Sequence, residues 1–229
     1  MDGNRLAIAA SSKKLIAAPA AMCAITFAVS IALAQTGNIM IALEKMNIGA
    51  APIDFESGRT GQGESGRWLV AADVTANGGR AIAQSSTDRT DYRFPLAIYR
   101  PLSAKNIDVS VRFKPIAGVV DRAGGIAVRL SDPDNYYVVR ANALEDNVRF
   151  YRVVKGSREQ LASADVKVEA NQWHTLGLRA EGDQFTIIYD GKPLFTARDR
   201  TFAAAGRFAL WTKSDSVTHF DRIEIRTLP

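Results

Sequence analysis

The 229-residue sequence predicts an all-β protein built from two packed antiparallel sheets. Three observations carry this. From residue 51 onward apolar residues alternate with polar ones in short runs, turn-forming residues separate those runs, and no stretch sustains an apolar period of 3.6 over three turns.

The alternation is clearest in Asp108–Phe113, where Val109, Val111 and Phe113 share one side and Asp108, Ser110 and Arg112 the other, as a half-buried strand requires. Residues 125–130, 136–142, 147–153, 173–178, 185–189, 208–212 and 220–225 read the same way. Between them, Asp132-Pro-Asp-Asn135, Glu145-Asp-Asn147, Glu181-Gly-Asp183 and Asp190-Gly191 supply residues that accept tight or left-handed backbone, the last pair resembling a two-residue hairpin. One domain over 51–229 is expected. Residues 35–50 are expected to form a linker or edge element, with Ile39–Met46 as a short helix or a strand.

Residues 1–34 are unlike the rest. Arg5, Lys13 and Lys14 precede an almost uncharged run from Leu15 that ends in Ala32-Leu-Ala34, the order of a secretory signal peptide. The run has about the length of a bilayer span, but it is alanine-rich, broken by Pro19 and ends in a small-x-small site. Cleavage after Ala34 is therefore expected, with no stable membrane span afterwards and a periplasmic or secreted product. Cys23, the single cysteine, falls inside the signal, so the mature chain would have no disulfide, cysteine metal site or thiol nucleophile. The full chain has 29 Lys and Arg against 24 Asp and Glu; without Arg5, Lys13, Lys14 and Asp2 the balance is 26 against 23. So mild a surplus does not point to nucleic acid.

Gly61-Gln-Gly-Glu-Ser-Gly66 matches a dinucleotide fingerprint in letters but lacks its setting: no buried parallel strand precedes it, and Arg67–Val70 continues as a strand where a helix would be needed. His174 alternates with Leu176 and Leu178 and reads as a partly buried structural histidine; His219 is placed before the last strand. Asp221 and Glu224, three apart on a strand, are expected on opposite faces, too far apart in direction to act as a glycosidase pair. Asp132, Asp134 and Asn135 have the oxygens for Ca²⁺, and are equally ordinary turn residues. No cofactor is required by any motif.

The most informative constellation is a face. If Ile126, Val128 and Leu130 point inward, Arg129 points outward; Val148 and Phe150 inward place Arg149 and Tyr151 outward; Arg140 shares a side with Tyr136 and Asn142, and Trp211 with Lys213. Arginine, lysine and asparagine donors beside aromatic rings suit sugars, whose hydroxyls take hydrogen bonds and whose apolar ring faces stack. The same residues also decorate the solvent faces of ordinary sheets.

As a set, Asp132-Pro-Asp-Asn-Tyr-Tyr-Val-Val-Arg-Ala-Asn142, Asn147–Tyr151, Gln172-Trp-His174, Asp190-Gly191 and the Gly206–Phe220 segment with Leu210-Trp-Thr-Lys-Ser-Asp-Ser216 resemble the concanavalin A-like superfamily. Within it, residues 65–226 look most like the bacterial exported 3-keto-disaccharide hydrolase domain, allied to laminin-G-like modules. The resemblance implies a two-sheet jelly roll with a concave face, export and a carbohydrate or keto-sugar ligand. It also nominates Arg140, Asn142, Tyr151, Trp211, Lys213 and Asp215 as concave-face positions.

A glycan-binding module is therefore expected first, with Trp211 and Tyr151 stacking on sugar and Arg129, Arg140, Arg149 and Lys213 holding hydroxyl or acidic groups. An enzyme acting on 3-keto-glycosides is the alternative, with Asp215, His219 or His174 as its base. A module binding protein or envelope polymers is a third.

Overall fold

The structure is a computed structural model that describes residues 37–229, together with Met1 and Gly3. Apart from Met1 and Gly3, the expected signal segment 1–34, Cys23 included, lies outside the described residues.

Fifteen strands follow in chain order: β1 (Asn38–Met40), β2 (Phe55–Gly61), β3 (Trp68–Ala72), β4 (Arg80–Gln84), β5 (Arg93–Ala104), β6 (Ile107–Ala117), β7 (Ala123–Asp132), β8 (Asn135–Asn142), β9 (Asn147–Val154), β10 (Ser157–Asp165), β11 (His174–Glu181), β12 (Gln184–Tyr189), β13 (Lys192–Arg198), β14 (Gly206–Trp211) and β15 (Val217–Thr227). One sheet has the order β13-β12-β11-β6-β15-β4-β3, with β1 added beside β15; the other runs β10-β9-β8-β7-β14-β5-β2. The pairings are antiparallel, so the expected sandwich is the fold. In segment 37–50, β1 pairs with β15 and Leu43–Lys45 forms one short 3-10 turn. Asp190 and Gly191, at φ 47° and 75°, make the left-handed pair that a tight hairpin needs. The glycine-spaced loop after β2 carries the chain from one sheet to the other, held by Arg93, whose guanidinium donates to the carbonyls of Glu64 and Ser65.

The main core lies between the sheets: Val109, Val111 and Phe113 of β6 and Leu176 and Leu178 of β11 meet Tyr137 and Val139 of β8, Phe150 of β9 and Phe208 and Leu210 of β14. Alternate residues on the second sheet enter a separate cluster on its other face, comprising Phe94, Leu96 and Ile98 of β5, Tyr136 and Val138 of β8, Tyr151 and Val153 of β9, and Ala209 and Trp211 of β14. That face is therefore not a solvent face. The sheet curls over it: β8 and β2 are separated by three strands, about 19 Å at the usual spacing, yet the Tyr136 hydroxyl lies 2.7 Å from Thr60 Oγ1. Thr60 also donates to the carbonyl of Pro133 in the β7–β8 turn, closing one end of the concavity.

Two bulges reverse expected side-chain directions. The β7–β8 register shifts between Val128 and Asp132, and Arg129 adopts φ 51°. One extra residue flips everything beyond it: Leu130 joins the concave cluster, while Arg129, expected outward, turns into the sandwich beside Phe185 and Tyr137. In β15 the register shifts between Asp221 and Glu224, with Arg222 at φ 45°. Asp221 opposite Arg112 and Glu224 opposite Ser110 thus share the outer face of their sheet, contrary to the expectation from simple alternation. His219 lies within β15, not before it.

Candidate functional site

The open end of the concave face is built by β8, β9 and the loops beside them. Alternation puts Arg140 and Asn142 on this side of β8, and antiparallel register sets them opposite Arg149 and Asn147 of β9, with Tyr151 opposite Val138 one step along. The turn between these strands contributes Glu145. Its carboxylate receives Arg140 Nη2 at 2.7 Å and lies 3.4 Å from Arg149 Nη1. Arg140 is itself 3% exposed and also donates to the Asn147 side chain and, at 3.4 Å, to the Tyr151 hydroxyl. Burial pushes the Glu145 carboxyl up, but the Arg140 charge and the hydrogen bonds from Asn147 and Arg140 outweigh it and hold the group below its ordinary value.

A second charged group adjoins the first. Asp121, 2% exposed just before β7, accepts from Asn142 Nδ2 at 2.9 Å and lies 2.9 Å from Lys213 Nζ, which also reaches Asp91 at 3.2 Å. Burial pushes the Asp121 carboxyl up against the lowering effects of Lys213 and Arg140. For Lys213 burial acts downward, and the contacts with Asp121 and Asp91 outweigh it, so the ammonium is held charged. The loop carrying Asp121 is pinned by Asp215, whose carboxylate accepts the backbone N–H groups of Val119, Val120 and Asp121. Burial raises the Asp215 pKa, but these N–H groups lower it further, so it stays below the ordinary carboxylate range.

Five of the seven binding residues expected from the sequence thus come together: Arg140, Asn142, Arg149, Tyr151 and Lys213. The other two do not join them. Arg129 spends its guanidinium on the carbonyls of Lys105, Phe202 and Gly182, a clamp between loops. Trp211 lies on the concave side, but at 0% exposure it stacks on Phe94 with centroids 5.3 Å apart and donates from Nε1 to the Tyr136 hydroxyl at 3.3 Å. Neither Trp211 nor the 5%-exposed Tyr151 presents an open ring face to a sugar. The curl of the sheet, invisible to local alternation, is the reason. Asp121, Glu145 and Asn147 were missed as site residues; the signal for two of them was their place in the turn directly after Arg140 and Asn142.

The three possible bases lie in three places. Asp215 pins the Asp121 loop. His174 is buried, with Nδ1 2.9 Å from Asp190 and Nε2 3.1 Å from the carbonyl of Glu169, and it stacks on Tyr189. His219 faces outward on the opposite sheet, Nδ1 2.8 Å from Asp73. The Asp132 carboxylate accepts from the Asp134 N–H and from Asn135 Nδ2, and Asn135 Oδ1 accepts from Lys155 N–H, so these oxygens close turns. Among the described residues no group of three or more His, Cys, Asp or Glu is arranged to hold a metal ion, and no helix is long and apolar enough to cross a membrane.

Residues 107–228, from β6 through β15, match the family of the galactocerebrosidase C-terminal lectin domain. The chain belongs to that lectin-domain family. A 91-residue stretch, 39% of the chain, is 31% identical to levanase of Bacillus subtilis (strain 168), and the match spans 13% of that protein's length. Among solved structures, the carbohydrate-binding module CBM66 from Bacillus subtilis superposes with a TM-score of 0.58 at 23% identity, over 71% of this chain and 92% of that one. The β-glucanase of Bacillus licheniformis gives 0.56 at 12% identity, over 84% and 99%. Domain 4 of AbnA, an extracellular arabinanase from Geobacillus stearothermophilus solved with arabinotriose, gives 0.54 at 14%, over 82% and 90%. These likenesses show the fold, a two-sheet antiparallel sandwich like those of the carbohydrate-binding module and the glucanase; in this lectin domain the polar cluster lies beside the packed aromatic residues of the concave face.

Proposed function

We propose that this lectin domain is an exported glycan-binding module whose ligand lies over Arg140, Glu145, Arg149 and Lys213. The observation that carries the reading is the pre-arranged polar cluster: Arg140 and Asp121 are buried and fixed by Asn147, Asn142 and Lys213, while Glu145 and Arg149 remain partly open at the rim. Fixed donors and acceptors bind hydroxyls with little ordering cost. Recognition by hydrogen bonds takes the place of the stacking on Trp211 first expected. The family's lectin-domain description and the sugar-binding relatives support the reading, and no metal or cofactor is needed for it.

The test is titration of the full chain against a glycan panel containing levan, arabinan and β-glucan, with and without chelator. Glu145→Gln and Arg149→Ala should each weaken binding about tenfold while leaving the melting temperature within about 2 °C, as expected for rim residues. Retained affinity in both variants removes the site. Export is checked in a bacterial host by the mass of the extracytoplasmic product, expected to begin at Gln35.

A hydrolase acting on 3-keto-glycosides is the second reading, favoured by one observation on the opposite sheet. The His219 imidazole is oriented by Asp73, which also receives Lys114, and Lys114 lies 5.0 Å from the Trp173 ring centre. A base held by a carboxylate beside a cation suits proton abstraction next to a carbonyl. Turnover of 3-keto-disaccharides that disappears in His219→Gln would establish it, and no turnover would remove it.

A further inference from the structure

Arg158 of β10 reaches across the concave face and lies over two aromatic rings, its guanidinium carbon 4.8 Å from the Phe94 centroid and 4.4 Å from that of Tyr151. Among the described residues its side chain has neither a hydrogen-bond nor an ion-pair partner, and Nη1 is buried without one. The other cations on this face have carboxylates: Arg140 and Arg149 share Glu145, and Lys213 has Asp121 and Asp91. Arg158 is thus the unmatched charge of the face. It is connected to the polar cluster through Tyr151, whose hydroxyl meets Arg140.

A guanidinium carries five donors in a rigid plane, and contact with ring faces offsets only part of the loss of water around it. An incoming carboxylate supplies the two parallel acceptors that this plane fits best. Because two rings already hold the side chain, little rotamer freedom is left to lose on binding. We propose that Arg158 recognises the carboxylate of a uronic acid, so that the preferred ligand is an acidic glycan, its hydroxyls on the Arg140–Glu145 cluster and its carboxylate on Arg158. This rests on the glycan-binding reading above.

The experiment titrates the full chain with galacturonan and alginate oligosaccharides, and with arabinan and levan oligosaccharides as neutral counterparts, at fixed ionic strength. The wild-type chain should bind a uronate oligosaccharide at least about tenfold more tightly than the neutral ones. Arg158→Gln should abolish that preference while changing neutral binding less than about twofold. Arg158→Lys, which keeps the charge but not the planar fork, should lose most of the preference and provides the same comparison if the glutamine variant fails to fold. Neutral glycans bound as tightly as uronates, or a preference that survives both substitutions, would overturn the assignment of Arg158 and leave the glycan-binding reading standing. No binding to either class would overturn both.

Discussion

Replacing Trp211 with alanine separates a stacking platform from a structural residue. The side chain is fully buried, stacked on Phe94 and hydrogen-bonded to Tyr136, whose hydroxyl is in turn 2.7 Å from Thr60. Removing a buried indole costs about 3–5 kcal/mol in transfer and cavity terms. For a chain of this size about 4 kcal/mol corresponds to a fall in melting temperature of roughly 8–16 °C. Trp211→Phe preserves the ring contact and removes the N–H donor, and should cost about 1–2 kcal/mol. Thermal and urea melts followed by circular dichroism read both variants, and glycan titration below the transition reads binding. Folded Trp211→Ala should bind glycan within about threefold of the wild type, because the ring never meets the ligand. A variant that melts within about 2 °C of the wild type but loses binding tenfold would refute the reasoning and restore Trp211 as a sugar platform.

Arg129→Met should lower stability by about 3 kcal/mol, since three carbonyls lose a charged donor at once; chemical denaturation measures it, and an unchanged midpoint would contradict the clamp. Gly206→Ala should cost at least about 1–3 kcal/mol, because a Cβ there would fall 2.3 Å from the Arg129 carbonyl carbon, so the bulge backbone would have to move. Asp88, held down to about 2 by the N–H groups of Glu64 and Thr90, and Asp73 and Asp215, also depressed, contribute stability above the unfolded carboxylate value that is lost as pH falls through their folded values. Melting temperatures should therefore drop as pH falls from about 4 to 2; Asp121, raised by burial, acts in the opposite direction and only above the ordinary carboxylate value, so melting temperatures that do not drop between about 4 and 2 would contradict the role of the depressed carboxylates.

The strands and the sandwich were legible because alternation is local: Val109, Val111 and Phe113 needed no partner to declare their side. The five residues that come together were legible for the same reason, since Arg140, Asn142, Arg149 and Tyr151 lie in the regular β8–β9 pairing and Lys213 stands two residues past the end of β14. Arg129 and Glu224 were misplaced because a bulge depends on how two strands pair, which neither strand states alone. The second core also had a sequence signature: Phe94-Pro-Leu-Ala-Ile-Tyr99 is a continuous apolar run, the pattern of a strand buried on both faces. With that run read this way, Trp211 would have been placed among packed rings. The unpaired state of Arg158 is a property of the whole concave face and has no local sign.

The position of β15 also bears on how the sheet is assembled. β15 lies between β6 on one side and β4 and β1 on the other, so it joins the pieces of its sheet. Without β15, β6 and β4 have no strand joining them within that sheet. Completing the sheet needs contacts between residues far apart in sequence, the regime of slow folders that take about milliseconds to seconds.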